Sequence, residues 1–385
     1  MLTRRQFLAR LSAGSSLLLW PGLTTLANES APSRQRLLVV LLRGAMDGLA
    51  AVPSYAEPRF ESLRGDLALT TSGRNSVLRL DETFAMHPSM AFCHQLFQRQ
   101  QFGVVHACGL PYDGRSHFDA QDCLENGSNT PDGSQTGWLN RAVAEMQGMN
   151  GLSITSAEPL MVRGSAPFST WSPAPEHTGS PGALANQLAD LYAEDEALAE
   201  VFAQALSAQK IVPGGEASTG QLASIMQSAG RFMAAEDAPR VVMVQDTGWD
   251  THARQNIALE RKLSQLDSGI QQLHDSLGDH WQHTAVVVVT EFGRTVGING
   301  THGTDHGTAS TVLLAGGAVR GGKVHGDWPG LNELRDNRDL IAAQDVRSVL
   351  KGVLRDHMHI DARALNTRVF PDSRNAAPMD GLIGQ

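Results

Sequence analysis

Five short apolar runs, separated by longer amphipathic stretches, constrain the fold of this chain more than any other feature of its sequence. The runs are rich in Val and Leu and predict buried strands, some of them parallel. They span residues 36–42, 102–107, 240–245, 284–289 and 310–316. Helical periodicity is found at residues 89–99, 117–126, 138–147, 183–208, 220–235, 253–280 and 344–357. This alternation predicts an α/β protein with a layered sheet and helices on both faces.

The segment at 150–235 departs from the alternation. Its helical stretches are rich in Ala, Leu and Gln, and they flank the flexible sequence IVPGGEASTG at 211–220. We therefore expect a helical insertion or cap in this segment, within a single α/β domain at 34–385.

The N-terminus carries a twin-arginine pattern, TRRQFL, followed by the weakly apolar stretch LSAGSSLLLWPGL. The pattern predicts a signal peptide at 1–27, recognised by the twin-arginine export machinery, and a periplasmic or secreted protein. The apolar stretch is shorter than the roughly 20 residues that span a bilayer, so we expect no stable membrane anchor. Export in the folded state suits a protein that acquires a metal or cofactor first. A disordered basic tail is the alternative interpretation.

The charge balance is acidic and excludes nucleic acid as a partner. Removal of residues 1–27 takes away Arg4, Arg5 and Arg10 and no acidic residue. The 31 basic residues then fall to 28 against 40 acidic ones, a net charge of −12. No basic footprint remains for a nucleic acid. An anionic substrate would have to be bound locally, by metal ions or a few arginines.

The cysteines indicate no zinc ribbon, haem attachment or disulfide framework. Cys93, Cys108 and Cys123 form no C-x-x-C pair. We interpret them as mainly structural, with one disulfide left open.

Acidic residues follow three of the predicted strands. Asp47 comes five residues after the first, Asp246 and Asp250 come just after the third, and Glu291 comes directly after the fourth. In open α/β sheets, ligands bind outside the carboxyl ends of the strands. Three strands therefore deliver carboxylates to what could be one edge of the sheet.

Histidines near these carboxylates complete a candidate metal site. The candidate ligands are Asp47, Asp250, His252, Glu291, Asp305 and His306. A mixture of oxygen and nitrogen ligands suits Zn or Mn, with Mg or Ca where oxygen dominates, and the absence of thiolates argues against a purely structural zinc. A lone Asp is more often a helix cap or turn residue, so the prediction depends on the whole group.

The loop at 290–310 is rich in glycine as well as in candidate ligands. Glycine permits close approach of backbone segments, which would let His306 fold back to the same edge as Glu291. We expect His302 to stay outside the site.

Ser116 has two interpretations, because it precedes a helical pattern. Asp119 stands three positions later, which is the arrangement of a capping box. A serine at this position also lies at the positive end of a helix, where a phosphate or sulfate would bind, and could be a nucleophile. Arg115 could hold an anion there, and His117 could be a ligand or general acid. Arg43, Arg141 and Arg294 are weaker candidates for anion binding.

Seven motifs occur in order across nearly the whole chain. They are LRGAMDG, RSHFDAQD, GWLNR, GWDTH, TEFGRT, TDHGTAS and GGKVHGDWPGL. With the twin-arginine leader, they closely resemble domain-of-unknown-function family 1501, a bacterial group that is distantly similar to the alkaline phosphatase and sulfatase superfamily.

The superfamily resemblance implies a mixed, mostly parallel sheet between helical layers and a site with two divalent metal ions at its carboxyl edge. It implies metal roles for Asp47, Asp250, His252, Glu291 and His306, and a nucleophile at Ser116. The sequence departs from the superfamily at three points. Only one residue separates Asp250 from His252, where phosphatases have three; Glu291 stands where an Asp-His pair is expected; and the sulfatase signature is absent. Sulfatase chemistry is therefore not expected.

Two functions are consistent with these observations. The first is an exported metal-dependent hydrolase of phosphate or related anionic esters. The alternative is a non-catalytic exported binding or assembly protein that retains the fold, which the altered ligand spacing favours. A redox enzyme is suggested by the export route alone, since no dinucleotide, haem or copper motif supports it.

Overall fold

The chain has one large sheet in the computed structural model, which describes residues 34–73, 76–146, 148–173, 211–212, 222–235 and 238–384. The sheet contains nine strands: β1 (Arg36–Leu42), β4 (Phe102–Gly109), β5 (Gly151–Ile154), β6 (Phe168–Trp171), β7 (Val241–Asp246), β8 (Thr284–Thr290), β9 (Ser310–Ala315), β10 (Val324–His325) and β11 (Gln344–Asp345). A separate two-stranded sheet pairs β2 (Leu78–Arg79) with β3 (Ala85–Met86). All five predicted strands are present, and both ends of each lie within two residues of the predicted bounds.

The strand order in the large sheet is β10-β4-β9-β8-β1-β7-β5-β6, with β11 also paired to β4. In this sheet β9 runs antiparallel to both β4 and β8, whereas its other described pairings are parallel. β1 lies in the middle, with Leu38 beside Val242 of β7 and Val286 of β8. The predicted fold class, a mixed and mostly parallel sheet flanked by helices, is confirmed.

The helices have the following bounds: α1 (Gly48–Ala51), α2 (Phe60–Arg64), α3 (Ala91–Gln98), α4 (His117–Asn126), α5 (Trp138–Ala144), α6 (Leu222–Ala234), α7 (Gln255–Leu277), α8 (Val346–Asp356) and α9 (Ala362–Ala364). Short 3-10 turns occupy Gly65–Leu67, Leu160–Val162 and Gly278–His283, and a π turn occupies Leu365–Val369. Six of the seven predicted helices are present. The seventh, at 183–208, lies outside the described residues.

The helices cover both faces of the sheet because its central strands are apolar on both sides. In β1, Leu38 and Val40 pack into the core cluster that contains α3, α6 and α7. Leu37 and Val39 pack into the cluster that contains α4, α5 and α8. Successive side chains of a strand point to opposite faces. A continuous apolar run such as RLLVVLL is therefore the pattern of a strand buried between two helical layers.

The segment predicted as a helical insertion begins as part of the sheet. Residues Gly151–Ile154 pair in parallel with β7, and Phe168–Trp171 extend the sheet by a further strand. These strands have only four residues each, too few to show a periodicity of their own. The prediction of an insertion at 150–235 is thus wrong at its first residues. Residues 174–210 and 213–221 lie outside the described part, as does the predicted signal peptide at 1–27, and both predictions stay open there.

The topology brings several loops to one edge of the sheet. β1, β4, β7 and β8 share one direction, so their carboxyl ends lie at the same edge, where the antiparallel β9 begins. Cys93, Cys108 and Cys123 are buried and free. Within the described residues, no helix has the length and apolar character needed to cross a bilayer.

Candidate metal centre

Three histidines and one aspartate meet at the carboxyl edge of the sheet. The ligand atoms of His117, Asp250 and His306 all lie within 4.8 Å of one another. His252 joins them, because its Nε2 is 3.0 Å from Asp250 Oδ1 and 3.0 Å from His306 Nε2. We call His117, Asp250, His252 and His306 the four-ligand cluster. It contains three of the six predicted metal ligands, together with His117, which was predicted as a ligand or general acid.

Three loops supply these side chains. His117 is the first residue of α4, in the connection that follows β4. Asp250 and His252 lie in the loop between β7 and α7, and His306 lies in the loop between β8 and β9. Because the strands before these loops share one carboxyl edge, residues more than 180 positions apart in the sequence become neighbours.

Glycine allows the loops to approach closely. A Cβ atom at Gly303 would lie 2.3 Å from the carbonyl carbon of His252, and one at Gly44 would lie 2.6 Å from the amide nitrogen of Asp250. Gly44 also has a φ of +114°, which side-chain-bearing residues rarely adopt. The glycine-rich loop between β8 and β9 therefore lies directly against the Asp250–His252 segment, as its composition suggested.

Each histidine of the cluster has an oxygen atom opposite its Nδ1. His117 Nδ1 is 2.8 Å from Glu291 Oε1, and His252 Nδ1 is 3.3 Å from Asp305 Oδ1. His306 Nδ1 is 2.8 Å from the carbonyl oxygen of Arg115. A carbonyl oxygen only accepts, so His306 Nδ1 must carry the hydrogen. If the other two rings have the same tautomer, no Nε2 atom carries a hydrogen, and the 3.0 Å contact between His252 Nε2 and His306 Nε2 brings two lone pairs together.

The four-ligand cluster fits a divalent metal ion. Metal-binding histidines usually donate their second ring N–H to a carboxylate or carbonyl oxygen, which is the arrangement of all three rings. His117 Nε2 is buried and lacks a hydrogen-bond partner. It lies 3.4 Å from Asp250 Oδ2, a separation without hydrogen-bond geometry. Tetrahedral zinc with bonds of about 2.0–2.1 Å separates its ligand atoms by about 3.3 Å. Four separations lie near this value, at 3.0 to 3.4 Å: Asp250 Oδ1 faces His252 and His306, Asp250 Oδ2 faces His117, and His252 faces His306. The group whose ligand atoms all lie within 4.8 Å of one another is His117, Asp250 and His306, and His252 adjoins the last two.

Arg294 holds the aspartate of the cluster. Its Nη1 donates to Asp250 Oδ1, and its Nε donates to Thr304 Oγ1 at 3.1 Å. Burial acts to raise the pKa of Asp250, but the hydrogen bond and charge of Arg294 outweigh it and lower the pKa. Arg294 is buried and committed to these partners, so it is not a free group for an anion.

Glu291 supports His117 from beneath. Its side chain is fully buried, and Oε1 accepts from Gly44 N at 2.8 Å, from Gln121 Nε2 at 2.9 Å and from His117 Nδ1. Burial acts to raise the pKa of Glu291, but these hydrogen bonds lower it overall. In turn, the hydrogen bond to Glu291 raises the pKa of His117. Glu291 is therefore not a member of the four-ligand cluster, but it contacts His117, which is.

Asp305 occupies the equivalent place behind His252. Its Oδ1 accepts from Asn299 Nδ2 at 3.0 Å, which is the main reason that its pKa is lowered. More than half of its side chain is exposed. His302, expected to lie outside the site, does so, and its Nδ1 is 3.2 Å from Asp66 Oδ2.

Asp47 is not brought into the four-ligand cluster. It is buried, and its Oδ2 accepts from Arg64 and from Gln255 Nε2. Its Oδ1 accepts from Ala50 N at 3.1 Å, so that Asp47 caps the short helix α1. Every oxygen of this carboxylate therefore has a donor within the protein.

Arg115 and Ser116 take structural contacts beside the cluster. The Arg115 guanidinium donates to Asp339 Oδ2 and Asp336 Oδ2, and these hydrogen bonds raise its pKa. Ser116 caps α4, with Asp119 N donating to its Oγ at 3.4 Å. The Asp119 carboxylate accepts from Tyr112 instead of closing a reciprocal capping box. A capping box has two hydrogen bonds, and only the one from the Asp119 backbone to the Ser116 side chain is present.

Sequence reasoning missed two polar residues near the cluster, Gln121 and Asp339. A signal for Gln121 was present, since it follows His117 by four residues and one helix face carries both. Asp339 had no such signal, because Arg115, which connects it to the cluster, comes from a distant loop. The Arg43 guanidinium forms an ion pair with Glu125 and donates hydrogen bonds to Gln121 and Gln245. Arg141 donates mainly to backbone carbonyls, among them that of Val369.

A family model covers most of the chain. The model described as "Protein of unknown function (DUF1501)" matches residues 34–364. The chain belongs to the DUF1501 family. The family resemblance of the seven motifs is therefore confirmed. A search of curated proteins finds no match for this DUF1501 protein.

Solved structures with some similarity to the DUF1501 chain include a sulfatase, a periplasmic domain with zinc and an alkaline phosphatase. A putative sulfatase from Bacteroides thetaiotaomicron is 7% identical, with a TM-score of 0.38 over 76% of this chain and 67% of that one. The C-terminal periplasmic domain of EcEptC from Escherichia coli, in complex with Zn, is 11% identical, with a TM-score of 0.34 over 77% of both chains. A TAB5 alkaline phosphatase mutant with Mg bound is 12% identical, with a TM-score of 0.34 over 73% of this chain and 91% of that one. The activities and metals of these neighbours are theirs and are not transferred to this chain.

Proposed function

We propose that this protein is an exported hydrolase of phosphate or related anionic esters that depends on one divalent metal ion. The observation that carries the proposal is the orientation of three histidines. Each has an oxygen acceptor opposite Nδ1, and their Nε2 atoms converge with the Asp250 carboxylate. With every Nδ1 hydrogen donated to an oxygen, three neutral Nε2 atoms lie beside one carboxylate, an arrangement that a bound cation would stabilise.

The proposal has one ion, although the superfamily resemblance implied two. The second ion would need Glu291 and Asp47. The Glu291 carboxylate accepts from three donors at Oε1 alone, and both Asp47 oxygens are engaged. Four ligands of the type His₃Asp favour zinc over manganese, and both over magnesium or calcium.

The residues around the cluster have distinct roles in the proposal. His117, His252, His306 and Asp250 would hold the ion, which when bound supplies a Lewis acid that polarises a phosphoryl oxygen or activates water. Glu291, Asp305 and the Arg115 carbonyl fix the tautomers of the three histidines. Arg294 fixes the Asp250 carboxylate. The side chains of the cluster are 22 to 44% exposed, which leaves room for a substrate to approach.

Ser116 is the proposed nucleophile, with water as the alternative. It adjoins His117 at the N-terminus of α4, where backbone N–H groups and the helix dipole favour an anion. Arg115 and Arg294 are paired with carboxylates. The negative charge of the substrate would therefore be met by the helix end and the ion.

Elemental analysis of protein purified from the exported fraction tests the metal centre. We expect about one equivalent of a transition metal, and metal-dependent hydrolysis of at least one ester in a broad panel of phosphate mono- and diesters. His252→Ala should lose both. Metal-free wild type that takes up no zinc, and hydrolyses no ester, would favour the alternative of a non-catalytic exported binding or assembly protein.

Export is part of the proposal and rests on the sequence at 3–8. Replacement of Arg4 and Arg5 by lysine should leave precursor in the cytoplasm, because the twin-arginine machinery reads that pair. The control carries Arg10→Lys, outside the pair. Normal export of the Arg4/Arg5 variant would remove the periplasmic or secreted location.

A further inference from the structure

A buried carboxylate lies beneath the turn at 335–339, outside every motif of the family resemblance. Asp339 is fully buried, and backbone hydrogen bonds of 2.8 and 2.9 Å join Arg335 and Asp339 in both directions. Asp336 and Asn337 have positive φ angles of 53° and 55°, which Asp and Asn tolerate better than most residues. The turn is therefore a closed unit that holds Asp339 in a fixed place.

His306 is held at two points, by Arg115 and by Arg338 of this turn. Its ring donates from Nδ1 to the carbonyl oxygen of Arg115 at 2.8 Å. Its own carbonyl oxygen accepts from Arg338 Nη2. One contact orients the imidazole, and the other fixes the backbone from which the imidazole projects.

Both guanidinium groups end on the same carboxylate. Arg115 donates to Asp339 Oδ2 from Nε at 3.0 Å and from Nη2 at 2.6 Å. Arg338 Nε lies 2.9 Å from Asp339 Oδ1, as an ion pair without hydrogen-bond alignment. The contacts form a closed circuit from Asp339 through Arg115, His306 and Arg338 back to Asp339. We call these four residues the Asp339 circuit.

We propose that Asp339 is a positioning residue of the metal centre, which fixes His306 through Arg115 and Arg338. This inference rests on the proposed function, because it requires that His306 binds an ion. The Arg115 and Arg338 side chains are 30 and 40% exposed, and without Asp339 the Arg115 guanidinium would keep only the exposed Asp336 as a carboxylate partner. The carbonyl that orients the His306 ring would then move. Loss of an outer partner of a metal-binding histidine typically weakens metal affinity about 10–100-fold.

The test is Asp339→Asn, which keeps the shape of the side chain and removes its charge. We expect its zinc affinity, measured by competition with a chelator, to be about 10-fold weaker than wild type, the lower end of the range for a direct partner, because Asp339 acts through Arg115 and Arg338. The visible absorption of the cobalt-substituted protein should also change, because the spectrum reports the geometry of the ligands. Arg338→Ala, at a partly exposed position, removes the other half of the circuit. It should weaken zinc affinity in the same direction even if Asp339→Asn fails to fold.

A matched control is Asp267→Asn. Asp267 accepts from Phe92 N and Cys93 N, at 3.1 and 2.8 Å, and it lies about 18 Å along α7 from its first residue. This variant should lose stability and keep the zinc affinity and cobalt spectrum of wild type.

The outcomes separate the two proposals. Wild-type zinc affinity in folded Asp339→Asn and in Arg338→Ala would overturn the positioning role and leave the proposed function intact. Equal losses of affinity in Asp267→Asn and Asp339→Asn would also overturn it, since general stability would then be the cause. A wild-type protein that binds neither zinc nor cobalt would overturn both proposals.

Discussion

Two aspartates at the same edge of the sheet have opposite surroundings. Asp250 follows β7, is 39% exposed and faces three histidine rings. Asp47 follows β1, is 2% exposed and is paired with Arg64, which is fully buried. We refer to the first as the open site and to the second as the closed pair. Both positions fit the rule that carboxylates after parallel strands mark a ligand site.

The difference teaches that the position of a carboxylate does not decide its role. Both carboxylates meet a buried arginine, Arg64 for Asp47 and Arg294 for Asp250. They differ in the other oxygen: Asp47 Oδ1 accepts from Ala50 N, whereas Asp250 Oδ2 faces His117 Nε2 without a hydrogen bond and stays available to a cation. The decisive contact of the closed pair comes from α2, which carries no motif, whereas the open site is built from residues within the motifs.

The largest expected effect is on the closed pair. Asp47→Asn should lower the free energy of unfolding by about 3–5 kcal/mol, because it leaves Arg64 buried without a counter-charge. Chemical denaturation of the metal-free protein measures the loss. A second change, Arg64→Met, should recover part of it. A stable Asp47→Asn protein that has lost its zinc would break the comparison and restore Asp47 as a ligand.

The second effect concerns acid stability near the closed pair. Burial lowers the pKa of His106 from 6.5 to about 4; its Nε2 donates to Val52 O at 2.9 Å, and its Nδ1 accepts from Ala107 N. Between pH 6.5 and 4, His106 is protonated in the unfolded chain and neutral in the folded chain. Stability should therefore fall as the pH falls through this window, by about 3 kcal/mol for this residue.

Denaturation of the metal-free protein at several pH values checks the acid effect. His106→Gln should make the dependence between pH 6.5 and 4 less steep without abolishing it, since burial also lowers the pKa of His87, His325 and His357 to about 4. His94→Gln, at a partly exposed position, should leave the dependence unchanged. An equally steep dependence in His106→Gln would assign the acid sensitivity to other groups.

The third effect is on the open site. Zinc sites contribute about 10–16 kcal/mol over four ligands, so the loss of one ligand should weaken affinity at least about 100-fold. His252→Ala tests this more cleanly than a change at Asp250, which also holds Arg294. His302→Ala is the control, since it is an exposed histidine outside the cluster. Equal zinc affinities in the two variants would remove His252 from the site.

The smallest effect is at Ser116, where a structural and a chemical role give different results. As a cap alone, Ser116→Ala should cost about 1 kcal/mol and leave hydrolysis intact, and Ser116→Asp should be tolerated. As the nucleophile, both variants should bind zinc and lose covalent turnover. Ester hydrolysis by metal-loaded variants, with folding measured separately, distinguishes the roles. Full activity in Ser116→Ala would remove it from the mechanism.

Most of the central fold could be predicted from the sequence, and the failures have a common cause. The runs at 36–42 and 284–289 are long, apolar and rich in Leu or Val, and each lies within a residue of its observed strand. Gly151–Ile154 and Phe168–Trp171 were assigned to a helical insertion because four residues show no reliable period. The first depends on pairing with β7 and the second on pairing with the first, which is not local information.

The candidate site, like the fold, has one part that the sequence predicts and another that it does not. The sequence by itself determined the family, the buried strands and the presence of His252, Asp250 and His306 in loops after those strands. Only the tertiary structure decided that His117 joins them, that Glu291 and Asp305 lie behind histidines, and that Asp47 meets Arg64. Strand identity follows from hydrophobic pattern, which is local. The partner of a charged side chain follows from which loops and helices meet at one edge, and that is fixed only when the whole sheet has formed.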